Sequence, residues 1–164
     1  MKNVYLVGFM GTGKTAVGRE LAKKKRLHFV DLDDLIELKE GRSIPDIFSK
    51  KGEAYFRRLE KKVLREVSVE NKFVVSCGGG IVCDEENIRI MKETGMVICL
   101  KATPAVILKR IKGSSLRPLL NVNNPKEKIE FLLKLRSPYY AKAHKFINTS
   151  RLSVPEVVRE ALRL

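Results

Sequence analysis

The chain has 164 residues, the length of a single domain, and 44% of them are hydrophobic, which is enough to bury a core. These values exclude an intrinsically disordered chain and a small protein held together by disulfides. The 33 Lys and Arg residues exceed the 19 Asp and Glu residues and give a formal net charge of +14, which suits nucleic acid, an acidic membrane surface or a small anion as the partner.

Short apolar runs alternate with helical patterns along the chain, which predicts βαβ units and a parallel sheet. The predicted strands are residues 4–7, 28–31, 73–77, 96–100 and 145–147. The predicted helices are residues 15–25, 53–69, 84–94, 104–112, 125–142 and 154–163. Two stretches are less typical of a core: residues 33–60 are rich in charge, and residues 113–124 form a loop of a length often found in lids.

The sequence also predicts where the protein resides. No apolar run reaches the roughly 18 residues of a membrane span, and the N-terminal stretch lacks the charged region and cleavage site of a signal peptide. Cys77, Cys83 and Cys99 have no CxxC spacing, which argues against a metal cluster and favours a reducing compartment. We therefore expect a cytoplasmic protein that does not associate with membranes.

The segment GFMGTGKT, from Gly8 to Thr15, matches the phosphate-loop pattern G-x-x-x-x-G-K-[ST] between a predicted strand and a predicted helix. Glycines at such a turn allow backbone N–H groups to surround phosphate oxygens, and the helix adds the positive end of its dipole. Lys14 would reach the β- and γ-phosphates, and Thr15 would place its hydroxyl on Mg²⁺. The alternative, a glycine-rich turn with Lys14 as a solvated cation, is disfavoured by the strand and helix on either side.

Two aspartates, Asp31 and Asp33, stand at the end of the second predicted strand. In an extended chain their side chains would point the same way, about 6.6 Å apart, at the sheet edge where ligands bind in open α/β folds. One carboxylate would then belong to the metal shell, while the other accepts a proton from, or orients, an attacking hydroxyl. An equally weighted alternative is helix capping by Asp33 or Asp34, since both directly precede the apolar-periodic segment LIEL.

Further motifs follow in a fixed order along the chain. They are GRSIPDIF at residues 41–48, GEAYFRRLE at 52–60, VVSCGGG at 74–80, RPLL at 117–120 and RSPYY at 136–140. Together with the phosphate loop and the segment FVDLDDLIE, this set resembles the shikimate kinases along nearly the whole chain. The phosphate loop alone indicates only a phosphate-loop protein, whereas the complete set is highly specific.

The resemblance implies transfer of the γ-phosphoryl group of ATP to the 3-hydroxyl of shikimate, giving shikimate 3-phosphate and ADP on the way to chorismate and the aromatic amino acids. It implies a three-layer α/β/α fold with a five-stranded parallel sheet, related to the nucleoside monophosphate kinases. The core would comprise residues 1–32, 61–112 and 125–164, the shikimate-binding segment 33–60 and the lid 113–124. ATP is the implied co-substrate, Mg²⁺ the implied cofactor and a monomer the implied state.

The resemblance also assigns roles to individual residues. The shikimate-binding residues would be Asp33, Arg57, Gly78, Gly79, Gly80 and Arg136. The catalytic residues would be Lys14, Asp33 and Arg117, with Asp33 orienting or deprotonating the hydroxyl and the two cations stabilising the transferring phosphoryl group. The ATP-binding residues would be Gly11, Thr12, Gly13, Lys14, Thr15, Ala16, Arg110, Arg117 and Pro155, with Arg110 and Pro155 on the two faces of adenine. Thr15 would bind Mg²⁺ directly and Asp31 through a water molecule.

The chemistry of shikimate agrees with these roles, because a guanidinium meets a carboxylate in a two-bond fork that lysine does not form. Without the motifs, Arg57 and Arg136 would be interpreted as surface charges and the three glycines as a turn at a strand end. Cys77 is expected to be a small apolar filler with no catalytic role.

Two other functions compete with this interpretation. The first is another small-molecule kinase of the same fold, such as a gluconate or nucleotide kinase. The second is a nucleic-acid-binding ATPase, which the net charge suggests. Only 7% of the residues are aromatic and no nucleic-acid-binding module is recognisable, so we expect no nucleic-acid partner.

Overall fold

The computed structural model describes residues 2–112 and 122–164. Five strands form one sheet: β1 (Asn3–Val7), β2 (His28–Asp31), β3 (Phe73–Ser76), β4 (Gly95–Lys101) and β5 (Lys145–Asn148). Their order is β2-β3-β1-β4-β5, and every neighbouring pair is parallel. The predicted fold class is confirmed, and each predicted strand lies within one residue of the observed one.

In the described part of the chain, seven helices connect and cover the strands: α1 (Lys14–Lys25), α2 (Leu32–Glu40), α3 (Ile44–Ser68), α4 (Glu85–Thr94), α5 (Pro104–Ile111), α6 (Pro125–Tyr140) and α7 (Val154–Leu162). A short 3-10 helix spans Ile81–Cys83. The structure contains more helix in residues 33–60 than the sequence predicted. There α2 and the first part of α3 bury Leu32, Ile36 and Ile47, and Gly52, with φ 82°, separates the two parts of α3.

The sheet is buried on both faces, which explains why its strands are apolar runs and not alternating patterns. Successive side chains of β1 enter different cores, because Cβ atoms alternate between the faces of a strand. Leu6 packs with residues of α1 and α7, whereas Tyr5 and Val7 pack with residues of α3 and α4. The molecule is therefore a three-layer α/β/α structure.

All five strands end at the same edge of the sheet, since all are parallel. The phosphate loop follows β1, α2 follows β2 and the triple glycine at 78–80 follows β3. This edge is the place where open α/β sheets bind ligands. Within residues 2–112 and 122–164, no helix is long and apolar enough to cross a membrane.

Candidate active site

The phosphate loop connects β1 to α1 in a conformation that requires glycine. Gly13, the residue before α1, has φ 98°, a value at which residues with a Cβ are strained. A methyl group at position 8 would lie 2.3 Å from the carbonyl oxygen of Leu100, so Gly8 also permits close packing against the end of β4. The glycines thus have a structural role in shaping the loop.

Cationic and dipolar groups surround this loop. Nζ of Lys14 donates hydrogen bonds to the carbonyl oxygens of Gly8 (2.8 Å) and Phe9 (2.9 Å), which holds the ammonium against the loop. Helix α1 begins at Lys14, so the N–H groups of its first turn, which have no acceptor within the helix, lie here, and no acidic residue occupies that turn. Ala16 belongs to the same turn. This geometry suits an anion and is compatible with the predicted phosphate-binding role, which stays a prediction.

Side-chain oxygen atoms lie together at one side of the loop. The Thr15 hydroxyl donates a hydrogen bond to Oδ2 of Asp31 (3.0 Å) and lies 3.5 Å from the Ser76 hydroxyl at the end of β3. Mg²⁺ is a hard cation that takes oxygen ligands, so this set of side chains suits it. Ser76 had no role in the sequence interpretation, although its place at the carboxyl end of a predicted strand was a usable signal.

The predicted geometry of the aspartate pair is wrong. Strand β2 ends at Asp31 and α2 begins at Leu32 without a loop, so Asp33 is helical and the two side chains are not in an extended register. The alternative prediction, a helix cap at Asp33 or Asp34, is wrong as well. The cap of α2 is Asp31, whose Oδ1 accepts from the N–H groups of Asp33 and Asp34. Asp31 therefore combines the capping role with a contact to Thr15, while Asp33 lies elsewhere.

Asp33 faces the triple glycine after β3. A methyl group at position 78 would lie 3.0 Å from the buried Oδ1 of Asp33 and 2.9 Å from Oε2 of Glu60. Gly78 therefore leaves room for both carboxylates, and a larger residue would displace them.

Two arginines converge on the other glycines. A methyl group at position 80 would lie 2.5 Å from Nη2 of Arg57, and one at position 79 would lie 3.3 Å from Nη1 of Arg136. Position 79 also adjoins the phosphate loop, at 3.6 Å from the Gly8 carbonyl oxygen. The structure thus brings together all the residues predicted to bind shikimate: Asp33, Arg57, Gly78, Gly79, Gly80 and Arg136.

A buried carboxyl supports Arg57. Glu60 is 1% exposed, its Oε1 accepts a hydrogen bond from Nη1 of Arg57 at 2.8 Å, and its Oε2 has no hydrogen-bond partner among the described residues. Burial raises the pKa of Glu60 to about 7, although Arg57 opposes this shift. Glu60 is the last residue of the motif GEAYFRRLE, but the sequence predicted no role for it. Its spacing of three residues from Arg57, one helical turn, was the available signal.

Aromatic groups hold the two guanidinium groups in place. The Arg57 guanidinium lies 5.2 Å from the ring centroid of Phe56, which packs on Phe48, and that of Arg136 lies 5.6 Å from the ring of Phe9. The Tyr140 hydroxyl donates to the carbonyl oxygen of Gly79 at 2.6 Å. The aromatic rings thus line the two positive charges that face the glycines, and Tyr140 ties the triple glycine to α6.

Arg110 and Pro155 were predicted to enclose adenine. Nη1 of Arg110 donates to the carbonyl oxygen of Gly11 (3.2 Å), and both Nη atoms bond Thr149. Hydrogen bonds to a guanidinium lie in its plane, so these bonds do not cover the faces of Arg110. Pro155 lies in the first turn of α7, in the segment that follows Thr149. The predicted lid residue Arg117 lies outside the described residues.

Comparisons with known proteins decide the family. The family model for shikimate kinase matches residues 10–164. The shikimate kinase of Thermodesulfovibrio yellowstonii is 44% identical over 163 residues, which cover 99% of this chain and 94% of that protein. The shikimate kinase of Thermus thermophilus is 48% identical over 158 residues, which cover 96% and 86% of the two chains. This chain belongs to the shikimate kinase family.

The solved structures agree. The shikimate kinase of Acinetobacter baumannii in complex with shikimate superposes with a TM-score of 0.95 and 40% identity, and the match covers 99% of this chain and 92% of that one. A gluconokinase from Sinorhizobium meliloti, with a TM-score of 0.63 and 15% identity, shares the fold alone. Membership of the shikimate kinase family confirms the predicted class of enzyme, an ATP-dependent phosphotransferase that acts on a hydroxyl group.

Proposed function

We propose that this chain transfers the γ-phosphoryl group of ATP to the 3-hydroxyl of shikimate and releases shikimate 3-phosphate and ADP. The observation that carries the proposal is the convergence of Asp33, Arg57 and Arg136 on the triple glycine, directly beside the phosphate loop. An acceptor bound there would lie next to the phosphates of a nucleotide. The complex of the Acinetobacter baumannii relative with shikimate supports the choice of acceptor.

The carboxylate of shikimate is recognised by Arg57 and Arg136. Glu60 and Glu53 each accept a hydrogen bond from one Nη atom of Arg57, and the guanidinium donors that remain form charge-assisted hydrogen bonds to the substrate. Gly79 and Gly80 present backbone without side chains, so a small ring with three hydroxyls can approach closely. A longer or bulkier acceptor would meet the same guanidinium groups and lose that fit.

Phosphoryl transfer depends on positioning and on neutralisation of charge more than on covalent catalysis. Asp33 orients or deprotonates the acceptor hydroxyl, and Lys14 interacts with the β- and γ-phosphates. Arg117, in the proposed lid of residues 113–124, supplies a further positive charge to the transferring group. Mg²⁺, held by Thr15 directly and by Asp31 through water, would neutralise negative charge on the phosphates.

The proposal also covers the shikimate-binding segment, the adenine site and the oligomeric state. Residues 33–60 form the shikimate-binding segment, because they contain both Asp33 and Arg57. Arg110 and Pro155 hold adenine between them, with a face of the Arg110 guanidinium as one side of the site. The enzyme acts as a cytoplasmic monomer, and size-exclusion chromatography with light scattering tests the monomeric state.

The proposal is tested by a coupled assay of ADP release with shikimate, beside a control without acceptor. Gluconate and a nucleoside monophosphate serve as competing acceptors. Of the three acceptors, we expect only shikimate to be phosphorylated, and we expect Lys14→Ala to abolish this activity. Turnover of gluconate or of the nucleotide while shikimate is ignored would contradict the proposed function.

A further inference from the structure

Thr149 connects three separate elements beneath the phosphate loop. It follows β5, and its side chain is only 2% exposed. Its hydroxyl lies within donating distance of the carbonyl oxygens of Thr12 (3.0 Å) and Lys101 (3.2 Å). The Lys101 carbonyl already accepts from the N–H of Thr149 at 2.7 Å, so the carbonyl that depends on the hydroxyl is that of Thr12.

Arg110 extends this network from α5. Its Nη1 donates to the Thr149 hydroxyl (2.9 Å) and to the carbonyl oxygen of Gly11 (3.2 Å), and its Nη2 donates to the carbonyl oxygen of Thr149 (2.7 Å). The hydroxyl of Thr149 therefore accepts from a cation while it donates to the loop. Replacing it with an apolar group would remove one partner from the guanidinium and one from the Thr12 carbonyl.

These bonds determine how the loop presents its backbone donors. A trans peptide holds its C=O and its following N–H in opposite directions, and none of the described peptide bonds is cis. Fixing the carbonyl of Thr12 thus fixes the N–H of Gly13 on the far side of that peptide, whereas the N–H of Thr12 already donates to the carbonyl oxygen of Phe9 at 3.4 Å. Gly8 and Phe9 are held by Lys14, whereas Gly11 and Thr12 depend on Arg110 and Thr149.

We propose that Thr149 is a positioning residue for the nucleotide phosphates. Its hydroxyl holds the Thr12 carbonyl and the Arg110 guanidinium, and so orients the Gly13 N–H of the phosphate loop before the nucleotide binds. Donors that are already oriented bind an anion without the cost of ordering them first. The inference rests on the proposed function for the identity of the nucleotide, but its test is ADP binding, which requires no transfer to shikimate.

The test compares Thr149→Val, which has the same shape without the hydroxyl, with Thr149→Ser, which keeps the hydroxyl. Isothermal titration calorimetry measures the Kd of ADP and, separately, of shikimate. We expect Thr149→Val to weaken ADP binding about tenfold or more, because hydrogen bonds to a charged partner and to the loop are both lost. We expect shikimate affinity to remain within about twofold, and Thr149→Ser to restore ADP binding.

Thr94→Val is the matched control. The Thr94 hydroxyl bonds the carbonyl oxygen of Ile90 and the hydroxyl of Tyr5, both at 2.7 Å, where β4 begins, at the opposite edge of the sheet. The substitution Thr94→Val therefore removes a comparable threonine hydroxyl far from the phosphate loop. We expect it to reduce stability and to leave the affinity for ADP unchanged.

Three results would overturn the role of Thr149: unchanged ADP affinity in Thr149→Val, an equal loss of ADP and shikimate affinity, or no recovery in Thr149→Ser. If Thr149→Val does not fold, Thr149→Ala is measured in the same way, and we expect at least about a threefold loss for ADP alone. Wild-type protein that binds ADP but ignores shikimate contradicts only the proposed function, since the comparison of ADP affinities still decides the role of Thr149.

Discussion

Glu60 is expected to make the folded state less stable as the pH rises. Its pKa is raised from 4.5 to about 7, because burial of the carboxyl disfavours its charge more than Arg57 favours it. In the unfolded chain the same group would titrate near its ordinary value. The folded state therefore binds the proton more tightly, and the stability present below pH 4.5 is lost as the pH rises toward and through about 7.

The size of this loss follows from the shift. Each unit of pKa corresponds to about 1.4 kcal/mol, so the free energy of unfolding should fall by about 3 kcal/mol across the window from this group alone. Glu60→Gln resembles the protonated carboxyl and still offers Arg57 an oxygen acceptor, but it does not ionise. The two proteins should be equally stable near pH 4.5, and the variant should be more stable by about 3 kcal/mol at pH 8.

The measurement is urea unfolding followed by circular dichroism, with the difference between the two proteins plotted against pH. Taking the difference removes the titration of every group that the proteins share. Glu53→Gln is the matched control, because Glu53 also pairs with Arg57, at 3.4 Å, but is 68% exposed and screened by solvent. Parallel curves for wild type and Glu60→Gln, or wild type gaining stability with pH, would refute the reasoning.

Three further predictions concern single sites. Gly80→Ala should raise the KM for shikimate about tenfold or more, because its methyl group displaces the guanidinium of Arg57; an unchanged KM would contradict this placement. Asp33→Asn should lower kcat by several powers of ten with ADP affinity retained, and unchanged turnover would remove Asp33 from the chemistry. The N–H of Val97 donates to Nδ1 of His144 and burial lowers the pKa of this imidazole, so stability should fall as the pH drops below about 6.5. His144→Asn, which keeps an acceptor, should flatten this decline in the unfolding free energy, and an unchanged pH profile would contradict it.

Local patterns were sufficient to predict the sheet and the phosphate loop. A buried strand, a glycine turn and a helix are all encoded within residues 4–25, so each can be recognised without knowledge of the rest of the fold. The residues around the triple glycine required the resemblance to a family, because Arg57 and Arg136 approach Gly79 and Gly80 only through the packing of α3 and α6. Composition alone would have left both arginines on the surface.

The aspartate pair shows where local interpretation fails. Asp31 and Asp33 are two positions apart in the sequence, and this spacing alone does not show whether Asp33 belongs to a strand or to a helix. In a strand the Asp33 side chain would point the same way as that of Asp31, whereas in a helix it points in a different direction. Strand β2 passes into α2 without an intervening loop, so Asp33 is helical. The Asp31 cap favours the helix, and so does the packing of Leu32 and Ile36 against the core, which is a property of the whole fold.

The role of Thr149 could not be predicted from the sequence, for a different reason. Its hydroxyl bonds a carbonyl of a residue 137 positions earlier in the chain, and a backbone carbonyl has no signature in the sequence. Glu60 is an intermediate case, since its spacing from Arg57 was visible but its burial was not. The rest of the site could not be predicted because it depends on distant backbone atoms and on exclusion of water.

The net charge of +14 is a poor guide to the ligand, even though the proposed ligands are anions. Five of the 33 basic residues have proposed roles, namely Lys14, Arg57, Arg110, Arg117 and Arg136, and without them 28 basic residues against 19 acidic ones still leave +9. What distinguishes the site is how its few charges are held. Lys14 is fixed by two carbonyl oxygens, and Arg57 by a buried carboxyl. Fixed charges bind an anion of one shape, whereas mobile surface lysines attract any anion, so the function follows from the placement of charge and not from its sum.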